Sequence, residues 1–263
     1  MGLFVNKFME SVQVVQNEHL ASSIYKLVLQ APKTASAILP GQFVHMQVAS
    51  AKTAMLRRPF SVYQASESEG TITIIYDVVG SGTELMSKWN AGQNTTILAP
   101  LGNTWAESVQ PKRALLVGAG VGAAPLYMLA KKLKSAGATV DVALGARTKD
   151  LLVTKNDYEA LGLHSVEVAT DDGTAGFNGF CTKLAEEMLV SNAYDYVATC
   201  GPVPVMKEIA SICAKANVNC EVSMEERMAC GVGTCKTCVV NTTEGKQRTC
   251  SAGPVFNARS IKW

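Results

Sequence analysis

Four cysteines near the C-terminus carry the clearest chemical signal of this sequence. Cys230, Cys235, Cys238 and Cys250 are separated by gaps of four, two and eleven residues. Three thiolates on a glycine-rich loop, with a fourth brought back by a short hairpin, can surround an iron–sulfur cluster. The C-x4-C-x2-C opening is the plant-type [2Fe–2S] spacing, whereas zinc sites usually take their ligands as two close pairs. The pattern predicts a [2Fe–2S] cluster, and structural zinc or thiols without a metal are the alternatives.

A glycine-rich segment lies at residues 118–125, where an apolar strand is expected to turn into a helix. Gly118, Gly120 and Gly122 would let the backbone approach a pyrophosphate, and the start of the helix would offer N–H donors and a positive dipole end. The spacing departs from the G-x-G-x-x-G of the dinucleotide-binding fold, so a tight turn without a ligand is the alternative.

The tripeptide Cys200-Gly201-Pro202 ends a later strand of the same predicted sheet. Because the carboxyl ends of parallel strands share one edge, this tripeptide and the glycine-rich segment are expected to lie together. A Cys-Gly-Pro at that edge can cover a nicotinamide ring, although a strand ending in a plain turn is the alternative. Together the two segments indicate a nicotinamide nucleotide.

A third candidate site lies at residues 57–61, which read Arg-Arg-Pro-Phe-Ser. A guanidinium can hold a pyrophosphate bidentately, an aromatic ring can pack on a flavin, and a hydroxyl can reach a flavin ring nitrogen. Gly82 and Thr83 begin the one helix expected nearby, whose N–H groups could also face an anion. The alternative is a solvated pair of arginines beside a strand.

Short strands and frequent turns are expected to hold this third site. Six strands are predicted in the first hundred residues, at 11–15, 24–29, 42–48, 58–63, 71–78 and 95–98, with one helix at 83–89. This pattern is typical of a small antiparallel barrel. The three histidines do not cluster in the sequence, and His45 is predicted to be a barrel side chain rather than a ligand.

After Arg113 strands and helices alternate five times, which predicts a parallel sheet covered on both faces. Residues 114–130 carry no charge and resemble a short membrane span, but three glycines and Pro125 interrupt them. A buried strand, a loop and a helix are therefore favoured over a span. The predicted domains are a barrel at 1–104, an α/β domain at 105–219 and a cysteine module at 220–263.

Composition excludes several classes of function. The 263 residues are 48% apolar and 17% charged, with a net charge of +2, which argues against a nucleic-acid partner. Eight cysteines in a chain with this much apolar core, and with no recognisable signal peptide, do not suggest a secreted disulfide framework. Reduced thiols and an iron–sulfur cluster lead us to expect a cytoplasmic protein without a membrane anchor.

The motifs occur in the order flavin, nicotinamide, cluster, and in this they resemble the ferredoxin–NADP reductase superfamily. Residues 228–239, the return to Cys250 and residues 253–256 are more closely similar to one family, the electron-transfer subunits of dihydroorotate dehydrogenase B. The resemblance extends over essentially the whole chain. It implies an FAD-binding barrel, an NAD-binding α/β domain and a small [2Fe–2S] module.

The resemblance also implies site residues and partners. Cys230, Cys235, Cys238 and Cys250 would ligate the cluster, and no proton-transferring side chain is nominated. The residues that would contact FAD are Arg58, Pro59, Phe60, Ser61, Ile75, Tyr76, Asp77, Gly82 and Thr83. Phe60 departs from the tyrosine usual in the superfamily.

The family implies NADH as donor and a separate FMN-containing dehydrogenase subunit, two of each in a heterotetramer, which forms orotate. The alternatives are the small subunit of an NADH-dependent ferredoxin:NADP transhydrogenase or sulfhydrogenase, and a zinc-stapled nucleotide sensor without catalysis.

Overall fold

A computed structural model describes residues 7–48, 56–107 and 109–263. The strands are β1 (Phe8–Ala21), β2 (Ile24–Gln30), β3 (Phe43–Met46), β4 (Arg58–Ser61), β5 (Gln64–Ser66), β6 (Thr71–Asp77), β7 (Asn94–Leu101), β8 (Arg113–Ala119), β9 (Thr139–Ala146), β10 (Ser165–Thr170), β11 (Phe177–Asn178), β12 (Tyr196–Cys200), β13 (Asn219–Ser223), β14 (Val239–Thr242), β15 (Gly245–Arg248) and β16 (Val255–Asn257). The α-helices are α1 (Pro32–Ala37), α2 (Ser81–Met86), α3 (Ala124–Ser135), α4 (Lys155–Ala160), α5 (Cys181–Ser191) and α6 (Val203–Lys215).

The N-terminal part is an antiparallel sheet in the order β4-β3-β7-β1-β2-β6-β5. Its two edge strands, β4 and β5, are joined by only Val62 and Tyr63, so the sheet must curl until its edges meet. Backbone hydrogen bonds show this closure. The Val62 N–H donates to the carbonyl of Gln42, just before β3, and the Tyr63 N–H donates to the carbonyl of Thr73 on β6. The predicted antiparallel barrel is confirmed, and helix α2 begins two residues before its predicted start.

The second sheet has the order β11-β10-β9-β8-β12-β13-β16, and its strands are parallel except for β16. From β8 the chain passes to β9 on one side of β8, and it later returns to β12 on the other side. The direction of the connections therefore changes at β8, and a ligand crevice is expected between the carboxyl ends of β8 and β12. Two apolar clusters cover the two faces of the sheet, with helix α3 in one and helices α5 and α6 in the other. The predicted alternation of strands and helices around a parallel sheet is confirmed.

The uncharged segment 114–130 forms β8, a 3-10 turn and the first half of α3. In the parts of the chain that the structure describes, no helix has the length and apolar character needed to cross a bilayer.

The cysteine module is built into the other two parts of the chain. Strand β16 pairs antiparallel with β13, and the predicted boundary between residues 219 and 220 falls inside β13. The Asn103 side chain, just after the barrel, donates to the carbonyl of Val255 at 2.8 Å and accepts from its N–H at 2.9 Å. Phe43 and Leu101 of the barrel share an apolar cluster with Cys238 and Cys250. The barrel and the module are therefore held in direct contact.

A buried carboxylate, Asp141, connects the amino-terminal ends of the parallel strands, at the side of the sheet opposite the switch point. Asp141 on β9 is 1% exposed and accepts hydrogen bonds from Arg113 at 2.9 and 3.0 Å, His164 at 2.6 Å, Ser165 at 2.8 Å and Tyr194 at 2.9 Å. Burial alone would raise the pKa of Asp141, but these donors outweigh it and hold the pKa below its usual value. The ionised form is therefore the one that the fold stabilises.

Asp141→Asn is expected to lower the free energy of unfolding by about 3 kcal/mol at neutral pH, since it removes the charge that pairs with Arg113 in a buried setting. The folded pKa lies below the unfolded one, so the contribution of Asp141 is complete above about pH 4 and is lost as the pH falls through the folded value. Urea unfolding should show the two proteins converging in acid. Glu186→Gln in the exposed pair with Lys183 is the control and should cost under about 1 kcal/mol. An equal loss in both variants would contradict a special role for Asp141.

Candidate functional site

One cavity of about 830 Å³ lies where the barrel, the parallel sheet and the cysteine module meet. Its wall includes β4 and the end of β6 from the barrel, the loops after β8 and β12 from the parallel sheet, and Met228, Thr249 and Pro254 from the module. Thirteen of the fifteen predicted cofactor-binding residues line it, namely Arg58, Pro59, Phe60, Ser61, Ile75, Tyr76, Asp77, Thr83, Gly120, Gly122, Cys200, Gly201 and Pro202. The predicted flavin, nicotinamide and cysteine segments, which are distant in sequence, thus all contribute to the wall of one cavity.

The two arginines before Pro59 differ in their contacts. Arg57 donates to the carbonyl of Thr96 at 2.7 Å and to the Thr96 hydroxyl at 2.8 Å, and so ties β4 to β7. Arg58 lies in the cavity wall, and its hydrogen bonds are to the nearby carbonyls of Leu56 and Arg57. Among the described residues Arg58 has no other hydrogen-bond partner, so most of its donors are available for an anion, whereas Arg57 is already used by the fold.

Aromatic rings form the part of the cavity that faces the barrel. Phe60 packs edge-to-face on Tyr76 with ring centroids 6.1 Å apart, and Tyr76 stacks on Tyr25 at 5.6 Å. The Tyr76 hydroxyl donates to Asn17 at 3.1 Å, which anchors the ring. This rigid apolar wall beside Arg58 is suited to a planar ring system attached to a phosphate.

At the start of α2, one of the two predicted residues lines the cavity. Thr83 lines the cavity, but its hydroxyl accepts from the Val79 N–H at 3.0 Å and caps the helix. Gly82 is not among the cavity-lining residues of the described chain. A Cβ at Gly82 would lie 3.0 Å from Nε of Arg58, so the glycine makes room for that guanidinium.

The three glycines after β8 have three different surroundings. Gly118 lies inside the strand, where a Cβ would come 2.6 Å from Cα of Ala123, so it allows the 3-10 turn to pack on the sheet. Gly120 lines the cavity with φ +57° and open space beside it. A Cβ at Gly122 would lie 2.6 Å from the Cys200 carbonyl oxygen and from Cα of Gly201. The two predicted nicotinamide segments are therefore in direct backbone contact.

Cys200 is held as a neutral thiol at this junction. Burial, with a smaller contribution from Glu225, raises the pKa of Cys200 to about 12. Its Sγ donates a long hydrogen bond of 3.8 Å to the Ser223 carbonyl. Such a thiol is suited to packing and alignment rather than to nucleophilic attack.

The four motif cysteines come together as two pairs. The Cys235 N–H donates to Sγ of Cys230 at 3.4 Å, and the thiols of Cys238 and Cys250 contact each other in the buried cluster with Phe43. Gly231 and Gly233 adopt φ +71° and +87°, which allows the loop to wrap around the sulfurs. Arg248 on the return hairpin donates to the Gly233 carbonyl at 2.8 Å and fixes the loop to it.

The donor set fits a binuclear iron cluster. A [2Fe–2S] cluster with four thiolate ligands gives two to each iron, which matches two pairs of thiols. All eight cysteines are free of disulfides. The arrangement therefore favours the predicted [2Fe–2S] site over a closed zinc site.

The pairs differ in protonation and exposure. Hydrogen bonds from the Thr237 side chain and backbone, and from Cys230, lower the pKa of the exposed Cys235 to about 6. Burial and the neighbouring Cys238 instead raise the pKa of Cys250. Metal ligands must be deprotonated, so Cys235 offers a ready thiolate while Cys238 and Cys250 lie in the shielded interior.

Several wall residues are not among those predicted from sequence. They include Ser22, Ser23, Phe43, Met224, Glu225, Glu226, Met228, Thr249 and Pro254. Glu226 and Met228 directly precede the cysteine loop, and Thr249 directly precedes Cys250, so proximity to the cysteine motif was an available signal for these three. Ser22, Ser23 and Phe43 belong to barrel turns and strands that carry no chemical motif.

Comparisons with known proteins agree with this geometry. Residues 225–262 match the family described as the iron-sulfur cluster binding domain of dihydroorotate dehydrogenase B, and residues 11–105 match the oxidoreductase FAD-binding domain. A curated relative from Bacillus pumilus, named dihydroorotate dehydrogenase B (NAD(+)), electron transfer subunit, is 38% identical and covers 94% of this chain and 96% of its own length. A relative of the same name from Caldanaerobacter subterraneus is 39% identical over 95% of this chain and 96% of its own.

One solved structure shares nearly the whole architecture, and another shares most of it. An NADH-dependent reduced ferredoxin-NADP oxidoreductase superposes with a TM-score of 0.87 at 29% identity, covering 95% of this chain and 89% of that one. A ferredoxin NADP+ reductase from Neisseria gonorrhoeae superposes with a TM-score of 0.65 at 15% identity, covering 79% and 91%, which supports the fold alone.

Fold and site together define an FAD-dependent oxidoreductase subunit of the ferredoxin–NADP reductase type, with an iron–sulfur module at its C-terminal end. Within that class the full-length relatives at more than 30% identity decide the family. The chain belongs to the electron-transfer subunits of dihydroorotate dehydrogenase B.

Proposed function

We propose that this chain oxidises NADH and delivers the electrons, through FAD and a [2Fe–2S] cluster, to the FMN of a separate dihydroorotate dehydrogenase subunit. That subunit would form orotate for pyrimidine biosynthesis. FAD bound in the cavity would supply hydride acceptance from NADH and a bound cluster would supply one-electron transfer, while the protein's own residues would bind, orient and shield these groups. The single observation that carries the proposal is the shared cavity, whose wall is built by the flavin, nicotinamide and cysteine segments together.

The chain's own residues have distinct parts in this relay. Arg58 and the Phe60–Tyr76 wall would hold the flavin, and the Gly122–Cys200 contact would align the nicotinamide against it. Phe43 lines the cavity and also packs with Cys238 and Cys250, so it connects the proposed flavin space to the buried cysteine pair. This proximity favours rapid passage of electrons from the cavity to the cluster.

A partner subunit is suggested by the exposed side of the cysteine loop. Cys235 faces solvent while Cys238 and Cys250 are buried, so the cluster would be reachable from outside on one side only. The relatives' name, electron transfer subunit, implies a catalytic partner. We propose that this partner carries FMN and that two copies of each subunit assemble.

The transhydrogenase alternative is less well supported. The NADH-dependent ferredoxin-NADP oxidoreductase structure is 29% identical to this chain, whereas curated relatives at 35–39% identity carry the dihydroorotate dehydrogenase B name.

The test is expression of this chain with and without the dehydrogenase subunit encoded in the same organism. The chain alone should reduce dyes with NADH and show flavin and [2Fe–2S] spectra, but should not oxidise dihydroorotate. The purified complex should reduce NAD+ with dihydroorotate. Dihydroorotate oxidation by this chain alone, or failure of a fully loaded complex to couple the two substrates, would contradict the proposal.

Arg58→Ala is expected to weaken FAD binding by about 10- to 100-fold, because a hydrogen bond to a charged group contributes about 1.5–3 kcal/mol. The Kd for FAD, measured by fluorescence of released flavin, checks this. Arg58→Lys keeps the charge but loses the planar guanidinium, so its Kd for FAD should lie between that of the unmutated protein and that of Arg58→Ala. A Kd in Arg58→Ala equal to that of the unmutated protein would remove Arg58 from the flavin site.

A further inference from the structure

His45 is a fully buried imidazole without a regular hydrogen bond to any described residue. The side chain lies on β3 with an exposure of 0%, and neither Nδ1 nor Nε2 has a hydrogen-bond partner among residues 7–48, 56–107 and 109–263. Only two other buried side-chain nitrogen or oxygen atoms of the described residues share this condition, the hydroxyls of Thr199 and Thr249. Leaving a buried polar atom unpaired costs about 1–3 kcal/mol, so such an atom needs an explanation.

The ring lies against the loop that carries the first cysteine. A Cβ added at Gly231 would lie 2.6 Å from Nδ1 of His45, so any other residue at position 231 would collide with the ring. The carbonyls of Arg57 and Cys230 approach the imidazole closely enough to raise its pKa, but neither contact has the geometry of a regular hydrogen bond. On the strand side, His45 pairs in register with Pro59 of β4, which lines the cavity. The imidazole therefore stands between the proposed flavin strand and Cys230.

The surroundings do not explain the residue as simple packing. Burial, together with the charges of Arg57 and Arg58, outweighs the opposing effect of the Arg57 and Cys230 carbonyls and lowers the pKa of His45 to about 4, so the neutral ring carries one N–H donor. Both neighbouring cations can only donate, so the only acceptors beside the ring are the Arg57 and Cys230 carbonyls, and neither takes the N–H in regular hydrogen-bonding geometry. An apolar side chain of similar volume would fill the same space without the cost of burying two polar atoms.

We propose that His45 is a positioning residue for the [2Fe–2S] cluster, whose ring N–H donates a hydrogen bond to sulfur at the Cys230 end of the cluster. This inference rests on the proposed function only in requiring that the cluster is present. Hydrogen bonds to cluster sulfurs stabilise the reduced, more negative state and raise the reduction potential. His45 would thereby tune the potential of the acceptor that follows the flavin.

The test is a redox titration of the complete FAD- and cluster-loaded protein, followed by EPR for the cluster and by absorbance for the flavin. His45→Leu should shift the cluster potential to more negative values and leave the FAD potential unchanged. His45→Gln, which keeps a donor, should restore part of the shift. His19→Gln is the matched control, because the His19 ring is already paired with the Ser22 carbonyl at 2.6 Å. An unchanged cluster potential in fully loaded His45→Leu would overturn the proposal.

A second measurement does not depend on a variant that folds. Histidine labelled with ¹⁵N in the unmutated protein should give a nitrogen coupling to the reduced cluster in pulsed EPR. The other two histidines are occupied elsewhere, His19 with Ser22 and His164 with Asp141, so the coupling would report His45. Absence of a histidine coupling in a fully loaded sample would show that the imidazole bonds only to the main chain, and would also overturn the proposal. Neither outcome depends on turnover of dihydroorotate, so failure here is distinct from failure of the proposed function.

Discussion

Cys235→Ala is expected to abolish the [2Fe–2S] signal and to reduce electron delivery to the partner subunit by more than about a hundredfold, since loss of a group that merely orients a metal ligand already costs about 10- to 100-fold. Cys235 is the exposed member of the quartet, so its removal disturbs packing least. The flavin and nicotinamide walls of the cavity do not include it. Reduction of a dye by NADH should therefore remain within about twofold of the unmutated protein, because only the step after the flavin is broken.

Iron, acid-labile sulfide and the EPR signal measure the cluster, and the ratio of dye reduction to dihydroorotate-linked reduction measures the relay. Cys213→Ala is the matched control. Its thiol is fully buried against Cys220, so its loss is the greater disturbance of the core, yet the cluster should stay intact. Full cluster loading in Cys235→Ala would remove that residue from the ligand set. Loss of dye reduction with FAD still bound would show that the flavin and cluster sites are not separable.

Sequence alone was most informative where the chemistry is local. The cysteine motif, the glycine loop and the Cys-Gly-Pro turn each occupy a short stretch of sequence. Each requires a particular backbone conformation or a close backbone approach, which residue types such as glycine reveal. Gly231 at φ +71° and Gly122 against Cys200 show that constraint directly. The strand rhythm also predicted both sheets, because each buries apolar residues with its own period.

Other features could not be predicted from the sequence, because they depend on packing between segments that are distant in the chain. Helix α1 reads Pro-Lys-Thr-Ala-Ser-Ala, which has no apolar period, and the three residues of β5 are too few to show one. Strand β16 is equally short, and it completes a sheet begun more than a hundred residues earlier. His45 was predicted to be a barrel side chain, and it lies on β3, but its contact with Gly231 depends on how the module docks. Phe43 joins the cavity and the buried cysteines for the same reason.

Gly122→Ala is expected to lower the rate of flavin reduction by NADH about 100-fold, because a displacement near 1 Å between reacting groups can cost that much. The new Cβ would lie 2.6 Å from the Cys200 carbonyl oxygen and Cα of Gly201, so the two loops must move apart. Gly122 carries no positive φ, so the substitution acts through this contact and not through backbone strain. The nicotinamide would then be misaligned against the flavin, while the flavin and cluster stay bound.

Stopped-flow absorbance at saturating NADH measures the effect, and reduction by dithionite provides a reference that bypasses the nucleotide site. Gly137→Ala is the control for lost stability. It has φ +86° and open space around it, so alanine there costs about 1 kcal/mol of backbone strain at a turn remote from the cavity. Its rate with NADH should be unchanged. A slow Gly137→Ala would attribute the effect to global destabilisation, and a fast Gly122→Ala would mean that the contact between the two loops does not align the nucleotide.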